Sequence, residues 1–409
     1  MGFWDRLLGR ERKGYDPMSS RPWADGYGTR KSRSGATVTP ATALDVATVL
    51  ACCRVVANGI AQVPFRLYLE TGTSKTPASA HPLYALLYRR PNGWQTSFEF
   101  RETIAFHAML TNNAFIFVNR VGIARTIKEL IPIEPGRVTV KQLPDYRLEY
   151  SVRADDGQVQ VFGQDAIWHL RGPSWNGYLG MEAVKLAREA IGLSITLEQS
   201  QAEFSGNGAA TSGVLATKEK LSKERYDFLS AWLDKHLPGG ERFGKPLLVD
   251  DSAAYTQMAM SAVDQQLLES RKMQVEEICR AFGVMPIMIG HAGDTTPTYA
   301  SAEQFFLAHV VHTLMPWYTR IEQSADVNLL TEAERAEGYY TKFNPNALMR
   351  GAATDRANFY KAGLGTTQQP GWMTRNEVRG LEELDPVDGG DEFPALITTG
   401  AAAPAQPAA

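Results

Sequence analysis

The alternation of apolar and polar positions divides the chain into stretches of different period. Val46, Leu50, Cys53, Val56 and Ile60 recur at spacings of three and four, which predicts one amphipathic helix ending before Pro64. Short runs rich in β-branched and aromatic residues follow at 65–69, 114–120, 127–133, 138–140, 148–152, 159–162 and 166–170, and a helical stretch at 98–110 falls between the first two. Strands and helices mixed in this way predict an α+β domain.

Two long helical patterns come next, at 181–204 and 262–282; at 1.5 Å per residue each is about 30–36 Å long. The first is stopped by Ser205-Gly206-Asn207-Gly208 and the second by Gly283 and Pro286. On a helical wheel the first carries two apolar stripes. Val184, Ile191 and Ile195 form one; Leu186, Leu193, Leu197 and Phe204 form the other, with the small residues Ala183, Ala187, Ala190 and Ser194 between. A helix with two apolar flanks needs neighbours on both. Either a second copy of the chain supplies one of them in a head-to-tail ring, or the helix is buried within one large domain. The second helix has one apolar side, Val263, Leu267, Leu268, Val275, Ile278, Cys279 and Phe282, and a mixed ladder of charges on the other, Glu269, Lys272, Glu276 and Arg280.

Between the two helices the pattern predicts a strand at 213–217, a helix at 222–237 with Ser222 as N-cap and Gly239-Gly240 as stop, and a strand at 246–250. This is a small α/β tip carried on two helical stalks. Gly290 to Ser301, GHAGDTTPTYAS, joins two helices through glycines, a proline and small hydroxyl residues; it is either a surface connector or a loop projecting into a lumen. Residues 1–40 show no hydrophobic period beyond the first few positions and read as a flexible arm, and residues 395–409, rich in Ala and Pro, as a disordered tail.

Composition narrows the function classes. Of 409 residues 44% are hydrophobic and 21% charged, as in an ordinary globular protein, and the net charge is −3. No bulk basicity exists to clamp a phosphate backbone, so contact with DNA is local or transient. The three cysteines, Cys52, Cys53 and Cys279, have neither a disulfide-framework nor a zinc-ligand spacing, which favours a reducing compartment. MGFWDRLLGRERK lacks the apolar core of a signal peptide, Arg6 stands where myristoylation needs Ser or Thr, and no apolar run approaches the roughly 20 residues of a membrane span. No membrane partner is expected.

Candidate chemistry is sparse. GGERFGKP, Gly239 to Pro246, satisfies seven positions of a phosphate loop, but Pro246 replaces the hydroxyl that would hold magnesium and the string follows a helix instead of a strand. His309 and His312 share a helix face with no further metal ligand nearby. Cys52-Cys53 sits in an apolar stripe without an activating histidine and reads as a packing pair. The six carboxylates from Glu382 to Glu392 read as a solvated surface. No catalytic residue, metal ligand or cofactor is expected.

The order of several segments resembles the tailed-phage portal protein family, the head–tail connector, in the shorter branch of long-tailed phages and gene-transfer particles. The likeness spans about residues 44–393. It rests on VLACCRVVANGIAQVPFRLY from Val49, HPLYALLYRRPN from His81, LTNNAFIFVNR from Leu110 and IKELIPIEPGRVTV from Ile127. It continues with IWHLRGP from Ile167, LGMEAVKLAREAIGL from Leu179, FSGNGAATSGVL from Phe204, EEICRAFGVMPIMIG from Glu276, YYTKFNPNALMRG from Tyr339 and TRNEVRGLEELDPVDGGDEF from Thr374. Two places depart from the family: Thr111-Asn112-Asn113-Ala114-Phe115 stands where Gly-Asn-Ala-Tyr is common, and Arg350-Gly351-Ala352 where Arg-Gly-Asp is.

The resemblance implies a ring, commonly of twelve copies, around a DNA channel at one capsid vertex. It implies a wing at 41–178 completed by the helix and strand at 302–345, stem helices at 179–205 and 259–287, an α/β clip at 206–258, a tunnel loop at 288–301 and an α-helical crown at 346–394. In that frame His291, Asp294, Thr295, Thr296 and Tyr299 contact passing double-stranded DNA. Lys218, Lys220, Lys223, Arg242 and Lys245 belong to the clip that docks the terminase large subunit and then the head-tail adaptor, and the major capsid protein surrounds the ring. The expected function is a virion structural protein for DNA packaging and ejection, assembled in the host cytoplasm. The readings kept beside it are a nucleotide-dependent enzyme built on residues 239–245 and a different ring or scaffold protein.

Overall fold

The structure is a computed structural model that describes residues 31–72, 74–123, 125–206, 213–217, 222–234, 253–257, 261–291, 299–345, 353–365, 369–382 and 384–393. The chain divides into two compact units, the first ending at Phe343 and the second beginning at Asn344.

In the first unit the helices are α1 (Pro40–Leu44), α2 (Ala47–Ala61), α3 (Pro82–Tyr88), α4 (Ser97–Thr111), α5 (Ala183–Leu186), α6 (Arg188–Gly206), α7 (Lys223–Asp234), α8 (Ser261–Phe282), α9 (Tyr299–His309), α10 (Met315–Leu329) and α11 (Glu332–Ala336). The strands are β1 (Phe65–Thr71), β2 (Ser74–Pro77), β3 (Asn113–Val121), β4 (Thr126–Ile133), β5 (Val138–Gln142), β6 (Leu148–Arg153), β7 (Val159–Gly163), β8 (Ile167–Arg171), β9 (Gly213–Thr217), β10 (Ala253–Gln257) and β11 (Tyr339–Phe343).

Every strand expected before residue 171 is present. β3 lies between β4 and β8, and β6 between β5 and β7, all antiparallel. Phe115, Phe117, Ile131 and Ile133 from one of these sheets share a core with Leu148, Tyr150 and Val152 from the other. On the opposite face of β3, Ile116 pairs in register with Trp168 of β8. α10 covers that side, where the Trp168 indole N–H donates to Ser324 Oγ at 2.7 Å. Coverage on both faces is why Ala114 to Val118 reads as an unbroken apolar run instead of an alternating one. A third sheet joins distant parts of the chain: β1 is flanked by β2 and by β11, with Phe65 opposite Phe343 and their rings 4.4 Å apart.

Helix ends follow from local chemistry. Thr96 and Glu99 form a capping box at the start of α4, and Thr331 and Glu334 do the same for α11. Arg101, buried in α4, closes the end of α2 by donating from Nε at 3.1 Å and from Nη2 at 2.6 Å to the Ala61 carbonyl. Its Nη1 reaches Leu87 O at 3.4 Å and the Ser97 hydroxyl. Burial alone lowers this guanidinium to about 10. Gly59 is required by a close approach: a Cβ there would lie 2.7 Å from the Leu314 side chain, and the Gly59 carbonyl accepts from the Tyr318 hydroxyl at 2.7 Å.

Several expectations are corrected. The arm expected over residues 1–40 is folded from Lys31 on. Lys31 bridges Thr37, Ser32 and Val38 are buried, and the Arg33 N–H donates to the Glu189 carboxylate at 2.9 Å. Small polar residues do this packing, so no apolar period announces it. In α2, Leu50 faces outward and Cys52 and Val49 take the buried side.

The single helix expected over 181–204 is α5 and α6, broken at Ala187, whose ψ of 5° leaves the helical range. In the tip, β9 and the helix are present, but β9 pairs with β10 at Ala253–Gln257, and the strand expected at 246–250 lies outside the described residues. The loop expected over 288–301 is shorter, because Met288 and Ile289 belong to a 3-10 turn (Pro286–Ile289) and α9 already begins at Tyr299.

The second unit contains α12 (Ala353–Leu364) and α13 (Arg375–Leu381). Thr374 and Glu377 form a capping box, and the Asn376 side chain holds both the N–H and the carbonyl of Val387. Phe359 stacks edge-on against Trp372 at 5.3 Å.

Candidate functional site

The helix pair is where the structure decides between the two sequence readings. Val184, Ala187 and Ile191 are buried against α4 and α8. In the second stripe Leu186 is 69% exposed and Leu193 40% exposed, while Leu197 is half-buried. The two apolar flanks of this helix are therefore covered unequally from within the chain.

Farther along, the two long helices are tied by polar contacts, Arg271 Nη1 to Gln201 Oε1 at 2.5 Å and Arg271 Nη2 to Glu198 Oε1 at 3.5 Å. Lys185 pairs with Glu182 at 2.6 Å and Arg280 with Glu276 at 2.7 Å, so the outer surface alternates in sign. Glu189 is held below the usual carboxylate range by the Arg33 backbone N–H.

A second apolar row lies open on the α9 to α10 segment, where Leu307, Val311 and Met315 follow at four-residue steps and are all exposed. A π-helical turn, Val310–Leu314, joins α9 to α10. Its extra residue shifts the phase of the helix, so His309 is buried and His312 exposed; the shared face expected for them is lost. The Thr313 hydroxyl donates to the Gly283 carbonyl at 3.0 Å, tying this turn to the end of α8.

The joint between sheets and helix pair is built from Asn112 and Asn113. Asn112 closes α4 in the left-handed region at φ 53°, its carbonyl accepts from the Gly172 N–H at 2.8 Å, and its amide donates to Met181 O at 2.5 Å. Asn113 Oδ1 accepts from the Gly180 N–H at 2.8 Å and from His169 Nε2 at 3.0 Å. Burial, with Arg171 nearby, lowers His169 to about 3, so it is neutral. Gly180 admits no side chain: a Cβ there would lie 1.9 Å from the Asn112 carbonyl oxygen. Sequence reading passed over this joint because two asparagines before a strand look like any helix stop.

Of the expected DNA-contacting residues, His291 is half-buried, with Nε2 shielded and unpartnered. Tyr299 opens α9, and Asp294, Thr295 and Thr296 lie outside the described residues. Of the expected docking residues, Lys223 is exposed at the start of α7, and Lys218, Lys220, Arg242 and Lys245 lie outside the described residues, as does the phosphate-loop string. Among the described residues no group of three or more metal-ligating side chains occurs, and no helix is long and apolar enough to cross a membrane.

A mostly apolar hollow of about 220 Å³ is lined by Pro40, Leu44, Phe106, His107 and Leu110. Burial lowers His107 to about 4, and the carboxylate that lines the hollow, Glu134, is held by Arg137 at 2.7 Å. This pairing offers no nucleophile and no free acid.

The model of the family described as phage portal protein matches residues 47–383. The chain belongs to the phage portal protein family. It is 28% identical to the portal protein of Enterobacteria phage HK97 over 350 residues, covering 85% of this chain and 81% of that protein. To the probable portal protein of Streptomyces phage phiC31 it is 29% identical over 408 residues, covering 95% and 87%. Among solved structures, the neck of a native gene transfer agent particle computed with C12 symmetry has the same fold. Its TM-score is 0.57 at 22% identity, over 85% of this chain and 92% of that one. In this member of the portal family, the row of Leu186 and Leu193 and that of Leu307, Val311 and Met315 are among the apolar side chains left exposed.

Proposed function

We propose that the chain is one subunit of a closed ring of twelve copies at one capsid vertex, through which double-stranded DNA enters during packaging and leaves during ejection. The observation that carries this reading is the one-sided burial of the helix pair, with Val184 and Ile191 sealed and Leu186 and Leu193 open, in a member of the portal family. A head-to-tail ring covers the open flank of each copy with the next and leaves no end. The neck structure with C12 symmetry supports twelve as the number.

In this reading residues 41–178 and 302–345 form the wing, 179–205 and 259–287 the stem, 206–258 the clip, 288–301 the tunnel loop and 346–394 the crown. The clip, with Lys218, Lys220, Lys223, Arg242 and Lys245, docks the terminase large subunit during packaging and the head-tail adaptor afterwards, and the major capsid protein encloses the ring. ATP hydrolysis belongs to the partner motor. The net charge of −3 and the mixed charges on the helix pair suit passage, since a strongly basic wall would hold the duplex by counterion release. The protein assembles in the host cytoplasm and ends in the virion.

Native mass measurement and negative-stain imaging of the purified full-length chain test the ring. Rings with a central opening are expected, and a strict monomer at micromolar concentration overturns the proposal. Deleting 291–299 is expected to leave rings intact and to impair DNA packaging; rings that fail to form make the loop a structural element.

A further inference from the structure

The fold brings together two of the three cysteines, which are 227 positions apart in the sequence. Cys52 lies on the buried side of α2 and Cys279 on the buried side of α8, and their sulfurs are 3.8 Å apart as free thiols. We propose that Cys52 and Cys279 form a cross-linking site, in which a small peroxide converts the thiol pair into a disulfide that ties α2 of the sheet region to α8 of the helix pair.

The geometry asks for little movement. A disulfide has its sulfurs about 2.05 Å apart, so the pair closes by roughly 1.8 Å. The electrostatics also assign the roles. The hydrogen bond between the sulfurs, with burial, raises the Cys52 thiol far above its ordinary value, while the same bond lowers Cys279. Cys279 is therefore the member that ionises and attacks. Cys53, next to Cys52, is turned about 100° around the helix, and burial pushes it up to about 12. It is a built-in control: a buried thiol beside the site, on another bearing.

The reaction balances with hydrogen peroxide as oxidant. The Cys279 thiolate attacks one peroxide oxygen, the O–O bond breaks, and the leaving hydroxide takes up the proton that Cys279 released, giving a sulfenic acid and one water. The Cys52 sulfur then attacks the sulfenic sulfur, an S–S bond forms, the S–O bond breaks, and the hydroxide departs with the Cys52 proton as a second water. Two thiols and one peroxide become one disulfide and two waters. Because both sulfurs are shielded from solvent, a small uncharged oxidant reaches them and a bulky disulfide such as oxidised glutathione does not. The site is thus reduced while the chain folds in a reducing cytosol and oxidises after exposure to an oxidising medium. That timing rests on the proposed role as a particle subunit; the chemistry does not.

The test treats purified full-length protein with hydrogen peroxide, blocks remaining thiols, digests it with trypsin and analyses the peptides by mass spectrometry before and after reduction. The expected result is a fall from three alkylatable thiols per chain to one, and a reducible link between peptides 34–54 and 273–280. Cys52 and Cys53 share the first peptide, so Cys53→Ser should keep the link, whereas Cys52→Ala and Cys279→Ser should each abolish it. The oxidised wild type should unfold about 5 °C or more above the reduced form. Three alkylatable thiols after treatment, a link that survives Cys52→Ala, a link between copies, or sulfinic acid without a link would each overturn the proposal. None of these readouts depends on ring formation, so failure of the ring and failure of the cross-link are separately visible.

Discussion

The sheet region and the helix pair answer the same problem, what to do with apolar surface, in opposite ways. Trp168, Tyr150 and Phe343 are fully sealed, and several buried polar groups of this region are matched: the Trp168 indole to Ser324, His169 to Asn113, Arg101 to the carbonyls at Ala61 and Leu87. In α5 and α6 one stripe is sealed and the next, Leu186 and Leu193, is left in solvent. The core of the sheet region is closed by its own chain, whereas the helix pair leaves part of its apolar stripe in water, a surface that a neighbour can cover.

Substitutions should separate the two regions by the size of their effect on folding. Trp168→Ala removes the largest fully buried side chain and the bond to Ser324, and should cost about 4 kcal/mol in denaturant unfolding. Arg101→Leu should cost roughly 3 kcal/mol, because it removes both donors from the Ala61 carbonyl in an apolar setting, while the Leu87 carbonyl keeps the Ser97 hydroxyl at 2.6 Å. If either variant unfolds at the wild-type denaturant midpoint, the sheet region is not the self-sufficient half.

Acid should act on the same region. His169 is neutral in the native chain with a value of about 3, while the unfolded chain binds a proton on it below about pH 6.5. Its contribution is complete above pH 6.5, declines as the pH falls toward 3, and changes no further below that. Within the window the slope is at most about 1.4 kcal/mol per pH unit. His107, lowered to about 4, adds to the same fall. Replacing the histidine, His169→Gln, should flatten the pH profile of unfolding between 6.5 and 3; an unchanged profile removes His169 from the account.

At the other end of the scale, Leu186→Glu with Leu193→Glu should change the stability of the single chain by no more than about 0.5 kcal/mol, since both positions are open. The same pair should abolish rings in native mass spectra. A large loss of stability without loss of rings would reverse the comparison.

What the sequence made legible follows from which forces are local. Apart from the exposed strand Ser74–Pro77, the strands from Phe65 to Arg171 and the helix over Val46 to Ile60 could be read because period and turn chemistry are written into neighbouring residues. The pairing of Tyr339–Phe343 with Phe65–Leu69 could not, since nothing near either segment encodes its partner. The break at Ala187 falls on the residue most favourable to a helix, so propensity pointed the wrong way.

In the tip, β9 pairs with Ala253–Gln257, a segment whose two alanines and glutamine give no strand signal of their own. The candidate site was half legible. Two apolar stripes were visible on the wheel, but which one stays open depends on α4 and α8, far away in the chain. The contact of Cys52 with Cys279 is of the same kind.

The strand β11 sets a condition on synthesis. β1 is flanked on one side by residues 339–343, so a ribosome that has released Phe65 must add a further 278 residues before that edge is closed. At about 5–20 residues per second the wait is roughly 15–55 s. For that interval the edge of β1 lacks its partner strand, and no nascent chain that ends before Phe343 can complete this sheet. The sheet therefore closes only after the helix pair and α10 have been made.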